Sequence, residues 1–298
     1  MDIERILRKY PINARETIFK EIMHYEILES LFSINDIANT LVFQGGTALR
    51  LCYYINRYSE DLDFVINKGA EFSKEFMRDF ENIFCEKISN KYNLETEIIE
   101  PKENKNIVQR WSARIYLPNH SKKSKINLEI VNIPSHDNRN VYLIPNYEEV
   151  INKSISLYAE STKEIFADKL LALALRDYMK FRDFWDIEWL QRKTKPDYDL
   201  LRLKIKDYKQ TEESFLEKLK NKEFEIRNND LEEGFLREMS RFLEPNEFLK
   251  VKERHFYRTL QERILEAIDD IKHHFNESED EGESRDKRLM QSHTRRRR

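Results

Sequence analysis

The stretch LVFQGGTALRLCYYINRYSEDLDF, residues 41–64, decides the fold. An apolar run, Leu41-Val42-Phe43, leads into Gly45-Gly46-Thr47. These open a helix-like segment, Ala48-Leu49-Arg50-Leu51-Cys52-Tyr53. Arg57-Tyr58-Ser59-Glu60 then precede Asp61-Leu62-Asp63-Phe64, two carboxylates two residues apart at the start of a second apolar run. Side chains alternate along a strand, so Asp61 and Asp63 share one face while Leu62 and Phe64 turn to the core. Carboxylates projecting together repel and lose hydration unless a cation sits between them. Hard oxygen ligands of this kind suit Mg²⁺ or Mn²⁺, which complete their shells with water and substrate phosphates. Gly45 and Gly46 permit close backbone approach, and a helix starting near Thr47 aims its positive end at an anion. Thr47 and Ser59 add hydroxyls for phosphate oxygens. A Gly-Gly pair alone is a turn, and Asp-x-Asp alone is a solvated strand edge. Their order, strand, Gly-Gly, helix, Asp-x-Asp strand, implies the triphosphate- and metal-binding half of a nucleotidyl-transfer site.

Composition bounds the remainder. A chain of 298 residues buries a sizeable core as one large domain or two modest ones. With 36% charged residues and 40% hydrophobic ones it reads as soluble and globular, and only 5 glycines and 7 prolines favour helices over a turn-rich all-β fold. A net charge of −3 excludes nucleic-acid binding through global positive charge, so any polynucleotide contact must use a local patch. Cys52 and Cys85 belong to no metal-type spacing, which points to a reducing cytoplasm. The N-terminus lacks a signal-peptide pattern, no apolar run reaches membrane-spanning length, and the scattered histidines, His273-His274 included, give no zinc pattern.

Outward from the decisive stretch, apolar spacing predicts a helix over 14–32 and another over 72–88, then strands over 94–100, 107–117 and 126–131. Trp111, Ala113, Ile115 and Leu117 face inward, leaving Arg110 and Arg114 outward. In the strand 126–131, Ile126, Leu128 and Ile130 take one face and Asn127 and Glu129 the other, with Asp61 and Asp63 as possible neighbours. Glu129 is thus either a third metal-binding carboxylate of a two-metal phosphoryl-transfer site or a solvent-facing residue. From about residue 135 strand signals stop. A helix is predicted over 162–181, with Lys169, Leu173, Arg176 and Lys180 along one stripe, followed by a second carrying Asp183 and Asp186 at i, i+3. Further charged amphipathic helices span roughly 211–221, 230–243 and 246–275. Beyond residue 275 the chain turns from acidic to basic, ends in Arg295 to Arg298, and reads as a disordered tail.

Taken together, Gly45-Gly46-Thr47-Ala48-Leu49-Arg50-Leu51 and Arg57-Tyr58-Ser59-Glu60-Asp61-Leu62-Asp63-Phe64 resemble the first motif of the AbiEii/AbiGii-type nucleotidyltransferase toxins. These are the toxin halves of type IV toxin–antitoxin and phage abortive-infection systems. Phe166-Ala167-Asp168-Lys169-Leu170-Leu171-Ala172-Leu173 resembles the family's lysine motif, and Arg182-Asp183-Phe184-Trp185-Asp186-Ile187 its later Arg-Asp motif. The resemblance covers about residues 15–195; no motif matches after about 200, and Glu129 stands where many relatives place an aspartate.

The resemblance implies an α+β fold: a polymerase-beta-like mixed sheet with flanking helices over 1–134, an all-helical C-terminal domain over 135–275, and the charged tail from 276. Asp61 and Asp63, with Glu129 as third candidate, would hold Mg²⁺ or Mn²⁺. Gly45, Gly46, Thr47, Arg57 and Ser59 would bind the nucleotide. Lys169 would neutralise the triphosphate as a point charge, and Asp183 would act near the nucleophile or position that lysine, with Asp186 the second candidate for the role. The implied activity is transfer of a nucleotide from an NTP, with pyrophosphate leaving, to an acceptor such as the 3′ end of tRNA, under control of a cognate antitoxin encoded nearby. Two other readings stay open: a protein hydroxyl as acceptor, and a non-catalytic module that binds NTP or a partner protein.

Overall fold

The Asp-x-Asp strand needs apolar cover for Leu62 and Phe64 and an open face for its acids, and a mixed sheet with helices packed against it supplies both. The computed structural model describes residues 2–102, 107–117 and 123–295, with side chains as far as Asn276. Helices α1 (Ile3–Leu7), α2 (Arg15–Phe32) and α3 (Asn35–Thr40) lead into strand β1 (Leu41–Gln44), helix α4 (Gly45–Tyr53) and strand β2 (Leu62–Ile66). Helix α5 (Phe76–Tyr92) precedes strands β3 (Glu95–Ile99), β4 (Val108–Tyr116), β5 (Ser124–Pro134), β6 (Asn138–Tyr142) and β7 (Ser156–Glu160). The rest is helical: α6 (Thr162–Leu175), α7 (Phe181–Gln191), α8 (Tyr198–Asp207), α9 (Glu212–Asn228), α10 (Glu232–Met239), α11 (Pro245–Glu253) and α12 (Phe256–Arg295). The α+β class expected from the sequence is the class observed.

The strands form one seven-stranded sheet of order β3-β4-β5-β2-β1-β7-β6. β2 runs antiparallel to β1 and parallel to β5, and β7 runs parallel to β1. This register sets Asp63 opposite Gln44 on one side and Glu129 on the other, and Glu129 opposite Arg110. Leu62, Phe64, Leu128, Trp111, Ala113 and Ile115 are buried in the main core with residues of α2 and α5. Phe64 packs against Phe43 and Phe32 with ring centroids 5.4 and 6.1 Å apart. A smaller apolar cluster, Val42, Val65, Val131 and Ile133 with Val108 and Tyr208, forms separately from the main core. By strand alternation its β2 member Val65 shares a face with Asp63, as Val131 does with Glu129.

Several expectations are corrected. Strands continue past residue 135 as β6 and β7, so the boundary placed at 134/135 falls inside the sheet. β6 is an edge strand whose residues, Asn138-Arg139-Asn140-Val141-Tyr142, are exposed or half-buried, so it carries no apolar signal to read. The main core includes residues from Ile3 to Phe275, joining the sheet to the helical half. The helix expected over 162–181 ends early, with α6 stopping at Leu175 and Arg176 already extended, while α7 is the second helix expected to follow it. No Gly or Pro marks this break. It is held from a distance by Glu238 of α10, which accepts from the backbone N–H groups of Phe181 and Arg182 at the start of α7. The helix expected over 246–275 divides at His255, which sits in the left-handed region (φ 48°), and α8 lies outside the expected set. The tail expected from 276 falls outside the described side chains, although the backbone continues α12 to Arg295. Among the described residues no helix is long and apolar enough to cross a membrane.

Phe64 is fully buried next to the acidic face of its own strand. Phe64→Ala should destabilise the fold by about 3–5 kcal/mol, read as a fall in the urea midpoint. A midpoint unchanged from wild type would contradict the packing described.

Candidate active site

A cleft of about 480 Å³ is lined by the sheet's acids and by α6, α7 and the connector between them. From the decisive stretch, Gly45, Gly46, Arg57, Ser59, Asp61 and Asp63 line it. Tyr58 and Glu60, the alternate residues, instead line grooves elsewhere, so residues 57–61 act as an extended wall.

Both glycines are required by their neighbours. Gly45 has φ +76°, and a Cβ there would lie 2.7 Å from Asp63 Oδ2. A Cβ on Gly46 would overlap the guanidinium of Arg57. The start of α4 therefore lies directly against one acid and one base of the cleft. Thr47, expected to reach phosphate, does not line the cleft. It is fully buried and its hydroxyl donates to the backbone carbonyl of Asp61, because each helical residue turns about 100° from the last. Its work is to tie α4 to the Asp-x-Asp strand.

The three carboxylates are held differently. Asp61 Oδ1 accepts from Asn127 Nδ2 at 2.9 Å, and Asn127 Oδ1 accepts from Ser112 Oγ at 3.1 Å. Asp63 makes no side-chain hydrogen bond or ion pair among the described residues. Burial first, then the charges of Glu129 and Asp61, push its carboxyl up to about 6, with Lys180 and Lys169 pulling the other way. Glu129 lines the same cleft but is paired with Arg110, Nε to Oε1 2.8 Å. Among the described residues no three His, Cys, Asp or Glu side chains gather closely enough to hold a metal ion. Glu129 stands beside Asp63 in the register, on the same cleft as Asp61, while its carboxylate is engaged by Arg110 from the strand on its other side. The donor set itself, carboxylate oxygens of Asp61, Asp63 and Glu129 on one cleft, fits a hard divalent cation.

The opposite wall is a buried ion network. Arg57 donates to Asp186 in bidentate fashion, Nε to Oδ1 2.6 Å and Nη2 to Oδ2 2.5 Å, and its Nη1 donates to Tyr58 O. Lys169 Nζ lies 2.7 Å from Asp183 Oδ1 and 2.8 Å from Asp186 Oδ2, and Arg176 Nε lies 3.2 Å from Asp183 Oδ2. Three cations thus surround two carboxylates and leave one net positive charge. Burial alone would raise Asp183, but the charges of Lys169, Arg176 and Lys180 outweigh it and hold the carboxyl well below the usual range. Asp183 and Asp186 do not line the cleft, whereas Arg57, Lys169 and Arg176 do. The two aspartates expected as catalytic therefore hold the cleft's bases in place.

Other cleft residues are not singled out by the sequence. Asp168 lines it and is tied at 3.2 Å to Lys204, which is fully buried and also meets Glu160 and Glu164 at 2.8 and 2.7 Å. Arg176, Tyr178 and Lys180 enter it from the connector at alternate positions. The sequence does group Arg176 and Lys180 with Lys169, but as a helical stripe, whereas after the break at Leu175 they line the cleft from a non-helical connector.

A family model described as "Nucleotidyl transferase AbiEii toxin, Type IV TA system" matches residues 26–288, which extends the match through the helices that carry no legible motif. Among solved structures, the nucleotidyltransferase toxin MenT4 from Mycobacterium tuberculosis H37Rv is 20% identical with TM-score 0.47, over 67% of this chain and 66% of that one. The chain thus spans just under two thirds of MenT4. JHP933 from Helicobacter pylori is 18% identical with TM-score 0.43, over 87% of this chain and 97% of that one. No curated protein matches the chain.

The raised pKa of Asp63 carries a stability consequence. The protonated form is favoured by the fold, so its contribution is fully present below the unfolded value near 3.8 and is lost as pH rises through about 6. Asp63→Asn should flatten the fall in Tm over that window and stabilise the protein at pH 7 by about 1 kcal/mol, discounted for partial exposure. A Tm for Asp63→Asn below wild type at pH 7 would refute the destabilising burial of this charge.

Proposed function

Because the chain belongs to the AbiEii family of nucleotidyltransferase toxins of type IV toxin–antitoxin systems, we propose that this cleft transfers a nucleotide from an NTP to an acceptor hydroxyl. The observation that carries the proposal is the opposition of charge across one cleft. Asp61 and Asp63 stand on the sheet, and the net-positive set of Arg57, Lys169 and Arg176 stands on the facing wall. A nucleotide with its divalent ion is complementary to both, cation toward the acids and phosphates toward the bases. Magnesium or manganese held by Asp61 and Asp63, joined by Glu129 if Arg110 releases it, would supply neutralisation of the phosphate charge.

The protein groups chiefly position and stabilise, as phosphoryl transfer asks of them. The backbone at Gly45 and Gly46 and the hydroxyl of Ser59 approach the phosphates. Lys169 keeps one N–H position beyond the two taken by Asp183 and Asp186 and turns it to the triphosphate. Asp183 and Asp186 are positioning residues: they fix Lys169, Arg57 and Arg176 so that these charges need no rearrangement during reaction. The acceptor hydroxyl oxygen attacks the α-phosphorus in line and gives up its proton to water, and the bond to pyrophosphate breaks with its electron pair leaving on the pyrophosphate oxygen. The acceptor we favour is the 3′ hydroxyl of an RNA, tRNA foremost, with a cognate antitoxin as the controlling partner. The hold of Arg110 on Glu129 favours a second reading, an NTP-binding module without turnover, since it leaves two carboxylates rather than three.

Incubation with α-labelled NTPs, Mg²⁺ and total RNA separates the readings. Label should appear on RNA, Asp61→Ala should reduce it to background with the melting curve preserved, and chelation of divalent ions should do the same. Label on protein instead would replace the RNA acceptor with a protein hydroxyl, and NTP binding without any label would establish the non-catalytic module.

A further inference from the structure

We propose that Lys180, in the connector between α6 and α7, is the cation that the incoming triphosphate recruits, gripping its β- and γ-phosphates. The proposal rests on the nucleotide-transfer reading above and deepens it.

The argument begins with the charges of the cleft. Arg57 is paired with Asp186, Arg110 with Glu129, Lys169 with Asp183 and Asp186, Arg176 with Asp183, and Arg182 with Glu238. The ammonium of Lys180 lines the same cleft and makes no ion pair or hydrogen bond among the described residues. Among the acids, Asp61 is held by Asn127, Glu129 by Arg110 and Asp168 by Lys204, while Asp63 has no such partner. Among the described residues, Lys180 and Asp63 are thus a base and an acid of the cleft that make neither an ion pair nor a side-chain hydrogen bond. A half-buried ammonium without an anion is costly, because it has lost water and gained nothing in exchange.

Lys180 is nevertheless fixed there by backbone. Glu238 ties down the start of α7 immediately after it, and the extended connector sends Arg176, Tyr178 and Lys180 into the cleft together. Burial first, aided by the nearby charges of Lys169, Arg176 and Arg182 and opposed by Asp183, lowers its pKa to about 8. That is the state of a group waiting for negative charge. A compact ammonium on a four-carbon stem can follow phosphate oxygens as a point charge. Lys169, by contrast, is locked between two aspartates and can offer only its remaining N–H.

The test is equilibrium binding to the full chain of ATP, GTP, CTP and UTP, each with Mg²⁺, with inorganic tripolyphosphate as competitor. Lys180→Ala should weaken the NTP that wild type binds by roughly tenfold to a hundredfold, the loss of one charge-assisted contact to phosphate. In the same variant tripolyphosphate should lose its ability to compete, while the Tm without nucleotide stays equal to or above wild type. Lys180→Arg should recover most of the affinity. Lys180→Met, which keeps the stem, should repeat the loss if Lys180→Ala folds poorly. Wild-type affinity for both NTP and tripolyphosphate in folded Lys180→Met or Lys180→Ala would overturn the assignment of Lys180. Absence of NTP binding by wild type itself would instead overturn the nucleotide reading on which it rests.

Discussion

Asp186, with no exposed surface, grips Arg57 through two hydrogen bonds and touches Lys169 with the same carboxylate. Much of the cleft depends on this contact. Arg57 follows the glycine helix α4, Lys169 belongs to α6 and Asp186 to α7, so one side chain joins the Gly-Gly/Asp-x-Asp unit to the helical half. Charges this deep are tolerable only as a set. Removing one partner leaves the others desolvated and uncompensated, a loss of about 3–5 kcal/mol in comparable buried pairs. The network also explains why Gly46 cannot carry a side chain: the space is already filled by Arg57.

Around that fixed set the cleft keeps an imbalance of charge. In the neighbouring buried cluster a single cation, Lys204, reaches all three carboxylates, Glu160, Glu164 and Asp168. In the cleft, burial, with the charges of Glu129 and Asp61, raises the pKa of Asp63, and burial, with neighbouring cations, lowers that of Lys180. Opposite shifts on facing walls have a common meaning: each group lacks the counter-charge that a nucleotide with a divalent ion would bring. The fold tolerates this because the apolar core on the other face of the sheet is extensive, running from α1 to α12.

The readable part of the site is the part written locally. Gly45, Gly46, Arg57, Ser59, Asp61 and Asp63 lie within 19 consecutive residues, and a strand–helix–strand unit brings them together without help from elsewhere. Alternation also places Glu129 and Arg110 on the same face, and the structure agrees. Thr47 departs from expectation because helical rotation turns its hydroxyl away from the cleft. Glu129 stands beside Asp63 as the alternation suggests, but pattern alone does not say that Arg110 pairs with it. The α6–α7 break is illegible because its stabilising partner, Glu238, is more than fifty residues downstream and leaves no local signature. β6 is illegible because an edge strand needs hydrogen bonds more than apolar side chains.

By itself, then, the sequence determined the Gly-Gly/Asp-x-Asp unit, the α+β class and the family to which the chain belongs, because each rests on short-range order: glycine freedom, strand alternation and apolar periodicity. The tertiary structure alone decided which charged groups are engaged and which are left over. Pairing is a matter of distance between elements far apart in the chain, so Asp183 and Asp186 become anchors, Glu129 is bound to Arg110, and Lys180 remains without a partner among the described residues.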